Sequence, residues 1–415
     1  MKIWLINPYG PIPGESWRDY SFAMMAEALG DAGHDVIWWT SNFSHHFKKF
    51  RSQGWEDRQV SSKTTIRLVP TSGYKWNIGI GRIWRDIVFA FRAFNRGKKE
   101  AAPDLIVYSE SPLTVGYAGQ KLAEFHEVPV IFDQMDLWPE LFEQIFPQWL
   151  QPIANMLLSP IYANRRLNYK KLDGVMALAK PYLEAAFAVA PALRTRPNAL
   201  VYNGVDVEAF RSEMLHHSQS FRTIHAKQAG ELWAVFAGSL GPSYDIPTIM
   251  EVGRRLEDGN SRIRLIVAGD GPYAKHVTQF IAERGNDRLL FVGKLAPAVL
   301  SGLYSFCDIA LCAYSSRSNV EMPDKIYDYT AAGLPIINSL LGEVSSVIRD
   351  QRIGLQYRAG DPEDLLNALL RLESDAGLRA EMAENSRRVG DSYDKKVQYR
   401  KFVALVERVA QAYIH

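Results

Sequence analysis

Residues 232–242, LWAVFAGSLGP, run through six apolar side chains and then break into Gly-Ser-Leu-Gly-Pro. A run of that length closed by a turn is the pattern of a strand buried on both faces, and a glycine at its end lets backbone approach a ligand where a Cβ would block it. Two more runs do the same: IRLIVAGDGP (263–272) ends in Gly-Asp-Gly-Pro and RLLFVGKL (288–295) in Gly-Lys. CDIALCAY (307–314) and LPIINS (334–339) complete this set, with helix-length segments between them. Upstream, KIWLINP, DVIWWTS, TIRLVP, DLIVYSE, VPVIFDQ, GVMALA and ALVYNGV repeat the rhythm from residue 2 to 205. Apolar strands alternating with helices predict βαβ units and doubly wound parallel sheets, here twice over.

At 415 residues the chain suits two domains of about 200 residues each, and two domains imply a cleft between them. The boundary is expected near Asn203, giving domains at 1–202 and 203–392. A terminal helix from about 393 to 415 has apolar residues at helical spacing and can pack on either domain. The polar stretch 211–231 reads as a surface excursion beside the boundary. Internal repeats and low-complexity tracts are absent.

With 48 Lys and Arg against 46 Asp and Glu, there is no global charge excess of the kind that binds nucleic acid. The opening MKIWLINPYG is too short in its apolar run for a signal peptide, and no stretch of about 18 apolar residues occurs, so the protein is expected in the cytoplasm. The two cysteines, Cys307 and Cys312, sit in a strand-like run and read as core. No histidine has partner spacing, no Asp-x-Asp closes a strand, and no metal or other cofactor is expected.

The most specific segment is NVEMPDKIYDYTAAGLPII, 319–337. Pro323 suits the first helical position, and Gly333 with Pro335 closes a helix over about 323–332. Lys325 in the first turn opposes the helix dipole unless an anion is bound there. Asp328, three residues on, shares its face and can accept from the hydroxyls of a ribose. Glu321 lies just ahead of the helix. Taken alone, Asp324, Lys325 and Asp328 could equally be a solvated charge cluster; the three glycine turns at Gly238-Ser239, Gly271 and Gly293-Lys294 favour a phosphate site at the carboxyl ends of parallel strands.

FAGSLG, VAGDGP, FVGKL and MPDKIYDYTAAGLPII, in that order and preceded by YNGVDVEAF, resemble the GT-B glycosyltransferases of family 4. The first half adds AEALGDAGHDVIWWTS and FDQMDLWPELF; the latter is similar to a motif of members that build bacterial surface polysaccharide on a lipid carrier. The resemblance covers nearly the whole chain. It implies two Rossmann-like domains facing a cleft and a retaining transferase that uses a nucleoside-diphosphate sugar, a UDP-sugar in particular. The second domain would hold the donor and the first a lipid-linked glycan acceptor. It further implies that Lys325 binds the diphosphate, Asp328 the ribose, Glu321 with the backbone of Asn319 and Val320 the sugar and phosphates, and Gly293-Lys294 the base. Six residues separate Glu321 from Asp328 where the family often has seven. SLGPSYDIP lacks the basic residue common after the first turn, leaving Arg317 or the helix dipole to supply that charge.

In the first half, Gly14 and Arg18 follow the first strand and are placed to approach the donor phosphates. Asp133 and Asp136 follow VPVIF, and Asp136 either orients the acceptor hydroxyl or caps the next helix. From His45 to Glu100 there are thirteen Lys and Arg against four Asp and Glu, interleaved with aromatic residues. That excess, with a second apolar-then-basic stretch at 141–171, fits docking on anionic lipid at the inner face of the cell membrane, although solvated helix faces give the same pattern. Two other classes stay open: a nucleotide-sugar epimerase on the same scaffold and a non-catalytic sugar-nucleotide-binding protein.

Overall fold

The computed structural model describes residues 1–15, 21–76, 79–109, 113–140, 148–224, 227–285 and 287–414. The chain divides into two compact units, Met1–Asn203 with Lys396–His415, and Gly204–Lys395.

The first unit holds β1 (Lys2–Ile6), β2 (Asp35–Ser41), β3 (Phe43–Ser44), β4 (Lys49–Phe50), β5 (Glu56–Gln59), β6 (Thr64–Val69), β7 (Leu105–Ser109), β8 (Val130–Gln134), β9 (Gly174–Ala177) and β10 (Asn198–Leu200). Eight of them form one sheet in the order β10-β9-β8-β7-β1-β2-β6-β5, parallel except for the β5 edge, while β3 and β4 make a small antiparallel hairpin. β7, β8 and β9 are buried at every position, as expected of strands covered by helices on both faces. The terminal helix, Lys395–Ile414, contributes Phe402, Leu405, Val406 and Val409 to the core that contains Ile3, Leu5, Trp38 and Leu105. Their spacing of three, one and three residues is one apolar helical stripe, and this sheet is what it covers.

The second unit holds β11 (Leu232–Ser239), β12 (Ile263–Asp270), β13 (Leu289–Gly293), β14 (Ile309–Cys312), β15 (Ile336–Asn338) and β16 (Gly354–Gln356), all parallel, in the order β13-β12-β11-β14-β15-β16. Cys307 and Cys312 are both buried thiols. In each sheet one strand, β1 or β11, has the chain leaving it to opposite sides in turn. Such switch points open a crevice at the strands' carboxyl ends.

Two expectations need correction. The stretch 211–231 is no loop: most of it belongs to a helix, Val207–Ile224, whose Phe210 stacks on Tyr304 of the Pro297–Tyr304 helix at 6.1 Å. Its polar residues solvate the outer face and hide the helical period. The helix expected over 323–332 is the shorter Lys325–Ala331, because the turn before it is closed by hydrogen bonds from Ile326 N to Pro323 O and from Tyr327 N to Asp324 O. Its end is as expected, with Gly333 N donating to Thr330 O and Leu334 N to Tyr329 O in a Schellman pair.

Candidate functional site

Because every pairing in the second sheet is parallel, the glycine turns lie along one edge. Gly238 pairs with Gly269 and Ser239 with Asp270 across β11 and β12, and Ala268 with Gly293 across β12 and β13. A Cβ at Gly269 would lie 1.8 Å from the Gly238 carbonyl oxygen, so these strand ends meet backbone to backbone and only glycine fits. The turns are tied together by Leu240 N donating to Asp270 O and Tyr273 N to Leu240 O, both 2.8 Å, while Gly271 N donates to the Asp270 carboxylate at 2.7 Å.

Lys325 meets this edge at Gly238. Its ammonium nitrogen is buried, makes no hydrogen bond, and lies in a box of three rings: Phe236 at 4.2 Å, Tyr244 at 4.5 Å and Tyr314 at 4.7 Å from the ring centroids. Ring faces attract the cation but accept no proton, so the desolvated ammonium retains an unmet demand for an anion. Burial pulls its pKa down to about 8, partly opposed by Cys312 and Asp328. At Gly238 a Cβ would stand 3.2 Å from the nitrogen, and its absence leaves an approach to the charge. The helix that carries Lys325 has seven residues, so the box defines the lysine's electrostatics more than a long helix dipole does.

Glu321 is held at the start of the Glu343–Asp350 helix. Its carboxylate accepts from Glu343 N at 2.8 Å, and a Cβ at Gly342 would fall 2.2 Å from its Oε2. Asp328 lies one turn beyond Lys325 and is half-buried, while Ser239, Lys294, Arg317, Asn319 and Val320 are exposed. Gly238, Ser239, Gly271 and Lys325 thus come together at neighbouring strand ends, and Gly293-Lys294 ends the next strand.

In the first unit, Gly14 lies in an exposed turn with φ of +89°, and Arg18 falls outside the described residues. Asp136 lines a cavity of about 220 Å³ at the carboxyl ends of β1 and β8, with Asn7, Tyr9, His45, His46 and Arg82 among the other walls. Burial raises Asp136 to about 6, against the opposing influence of Trp138 and Arg82. Asp133, wholly buried in β8, is raised to about 8 by burial and by Asp136.

Several residues of these sites escape the sequence reading. Phe236, Tyr244 and Tyr314 look like core residues of separate segments, and nothing in their spacing announces a box. Arg51 clamps the loop after β1 by donating to both Glu15 carboxylate oxygens at 2.9 and 2.8 Å and to Gly10 O at 2.7 Å. Tyr9, which receives Arg82 Nε at 2.8 Å and donates to Asp86, is equally invisible in sequence.

The edge of glycine turns with a buried lysine defines a class. Residues 20–209 match the model of glycosyltransferase family 4 and residues 218–389 that of the glycosyl transferases group 1, and between them the two span most of the chain. The protein belongs to the family 4 glycosyltransferases and has the GT-B fold. Among curated proteins it is 22% identical over 297 residues to an alpha-monoglucosyldiacylglycerol synthase of Streptococcus pneumoniae, a match covering 69% of this chain and 63% of that one. The chain spans from about half to under two thirds of the length of the curated relatives it matches. Among solved structures, Anabaena Alr3699/HepE in complex with UDP superposes with a TM-score of 0.67 at 15% identity, over 98% of this chain and 99% of that one. WaaG, a glycosyltransferase involved in lipopolysaccharide biosynthesis, does so with a TM-score of 0.62 at 16% identity, over 98% and 99%.

Proposed function

We propose that the protein is a retaining glycosyltransferase that moves a hexosyl or N-acetylhexosaminyl group from a nucleoside-diphosphate sugar, a UDP-sugar by preference, to a lipid-linked glycan of cell-envelope polysaccharide synthesis. The observation that carries the reading is the buried, unbonded ammonium of Lys325 against Gly238. Breaking the bond between the anomeric carbon and the diphosphate builds negative charge on the leaving oxygen, and a preorganised cation there lowers the barrier. Asp328 binds the ribose hydroxyls, Glu321 and the backbone at Asn319 and Val320 the sugar and phosphates, and Gly293-Lys294 the base. HepE crystallises with UDP and WaaG takes part in lipopolysaccharide biosynthesis, which supports donor and acceptor classes of this kind.

Among the described residues no group of three or more His, Cys, Asp or Glu side chains could hold a metal ion, and Lys325 supplies the charge a divalent cation would. We read the reaction as metal-independent on the strength of that lysine. The test is calorimetric titration with UDP, GDP, ADP and CDP in the presence of EDTA. One diphosphate is expected to bind selectively; binding by none, or only after Mg²⁺ is restored, would overturn the donor site or its metal independence.

No helix among the described residues is long and apolar enough to cross a membrane. We place the protein on the inner membrane surface through the Ile80–Gly97 helix. One stripe of it, Ile80, Ile83, Trp84, Ile87 and Phe91, is exposed, up to 84% at Ile80; exposed Arg92 and Arg96 lie further along on another side of the helix, and exposed Lys99 just past its end. Trp149, Ile153, Met156 and Leu157 make a second exposed apolar face. Apolar stripes joined to basic residues match a bilayer rich in anionic lipid. The double variant Trp84→Ser, Phe91→Ser is expected to bind anionic liposomes roughly tenfold more weakly, and wild-type binding to weaken with salt. Equal sedimentation of the two proteins with liposomes would remove this helix from the contact.

A further inference from the structure

The cavity beside Asp136 has Arg82, His45 and His46 among its walls. Arg82 lines it, lies over the Tyr9 ring at 5.0 Å and donates to the Tyr9 hydroxyl at 2.8 Å. Arg85, wholly buried, lies over Tyr9 at 4.3 Å and Tyr74 at 5.4 Å and pairs with Asp86 at 3.1 Å. Lys48 lies over the Tyr74 ring at 4.4 Å and within 3.5 Å of His45 Nδ1. Arg82 is thus the cation on the cavity wall, beside His45 and His46, while Arg85 and Lys48 lie close to it through Tyr9, Tyr74 and His45; Asp86 is already engaged by Arg85 and Tyr9, and Asp136 shares the wall with Arg82. Lys48 is held at φ of +54°, one of three non-glycine residues with positive φ among those described, in the turn of the β3–β4 hairpin. The crowding also lowers the basicity of Lys48 and brings His45 down to about 3, in each case through burial first and then through neighbouring cations.

We infer that this cavity is a phosphate subsite for the acceptor, in which Arg82 and His46 hold the phosphate or diphosphate joining the acceptor sugar to its carrier, Lys48 adds positive charge from beyond His45, and Asp136 meets the sugar. The volume of about 220 Å³ admits several water molecules and therefore a phosphate group. A guanidinium in a half-desolvated wall, with an ammonium behind it, is the chemistry that recognises it. One helix links this subsite to a lipid source. Arg82 and Arg85 lie on the face of Ile80–Gly97 opposite its exposed apolar stripe, so headgroup and hydrocarbon meet two sides of the same element. The inference rests on the glycosyltransferase reading and gives the acceptor its chemical class.

The test is calorimetric binding of farnesyl diphosphate, farnesol and glucose 6-phosphate to the full chain, with UDP titrated into the same samples. Farnesyl diphosphate is expected to bind at least about tenfold more tightly than farnesol, and Arg82→Ala and Lys48→Ala each to weaken it about tenfold with UDP affinity unchanged. Arg82→Lys, which keeps the charge but not the planar fork, should recover part of the loss seen in Arg82→Ala, which separates lost charge from misfolding; Lys48→Ala decides the matter if Arg82→Ala melts below the assay temperature. Tighter binding of glucose 6-phosphate than of farnesyl diphosphate, with the same dependence on Arg82, supports the subsite but overturns the lipid source. Unchanged farnesyl diphosphate affinity in both alanine variants overturns the subsite. UDP binding without phosphate-ligand binding overturns the subsite and leaves the donor reading standing, whereas loss of both defeats the glycosyltransferase reading itself.

Discussion

Replacing Lys325 by alanine is expected to lower turnover at least about a hundredfold, the effect of removing one preorganised group from a developing oxyanion. The reason lies in what the box around it does and does not supply. Phe236, Tyr244 and Tyr314 offer ring faces to the ammonium but no hydrogen-bond acceptor, so a diphosphate oxygen reaching it past Gly238 satisfies a charge that is already desolvated. Alanine also empties the box, and Lys325→Met separates the two effects because it keeps the apolar stem. That variant is expected to melt no lower than wild type, since it removes a buried charge, yet to lose UDP affinity as the alanine variant does. The pH dependence has a definite sign. With the lysine pulled down to about 8, the cationic form, the one able to hold a diphosphate, prevails below that value, and UDP affinity is expected to fall as pH rises through it. Bound diphosphate raises the lysine's pKa again, so calorimetry near pH 8 in buffers of different ionisation enthalpy should show proton uptake. Near-normal turnover in Lys325→Met, or binding that is flat from pH 7 to pH 9, would take the lysine out of the mechanism.

The parts of this fold legible in sequence are those set by local pattern. Buried parallel strands are continuous apolar runs, so β11 to β13 and their glycine exits stand out in the chain, as does the Gly333 stop. Arrangements that depend on which segments meet are not legible. The aromatic box joins β11, the loop after it and the end of β14, and each of its rings has the apolar neighbours of an ordinary core residue. Arg82 and Asp86 sit one turn apart on a helix whose sequence reads as a basic amphipathic face; only Tyr9, some seventy residues away, turns that face into the wall of a cavity. The terminal helix shows its apolar stripe plainly, but the sheet it covers depends on Gly174, where a Cβ would stand 2.6 Å from Val409. The Val207–Ile224 helix is hidden for the opposite reason: its outer face is so polar that the few packing residues do not establish a period. Glu321 shows how far spacing can inform. Its position before the lysine helix is readable, but its anchoring to Glu343 N depends on the turn at Gly342, twenty-one residues on.

For the two carboxylates at the end of β8 and just beyond it, Asp136→Asn is expected to lower turnover roughly a hundredfold while leaving UDP affinity unchanged, the scale of losing a positioned proton acceptor. Burial raises Asp136 to about 6, so its charged form, the one able to accept from a hydroxyl, is lost as pH falls through that value. The wild-type rate should therefore rise from pH 5 to pH 7, and the asparagine variant should lack that limb. Asp133 provides the contrast. It is wholly buried, one of its oxygens has no hydrogen-bond partner, and its pKa of about 8 keeps it protonated where Asp136 is charged. A neutral carboxyl is nearly isosteric with an amide, so Asp133→Asn is expected to keep turnover within about threefold at pH 7. Its effect should appear in stability instead. The folded state holds a proton on Asp133 that the unfolded chain releases near 3.8, so wild-type stability loses about 1.4 kcal/mol per pH unit from this group between the unfolded and folded values, and the amide removes that slope. Denaturant titrations at pH 5 and pH 8 measure the difference between the two proteins. If that difference does not change with pH, Asp133 is ionised in the native fold, and Asp136 would then carry its charge beside a second one rather than beside a neutral acid. An acid limb that survives in Asp136→Asn would pass the proton-accepting role to another group of the first unit, with Asp133 the first to examine.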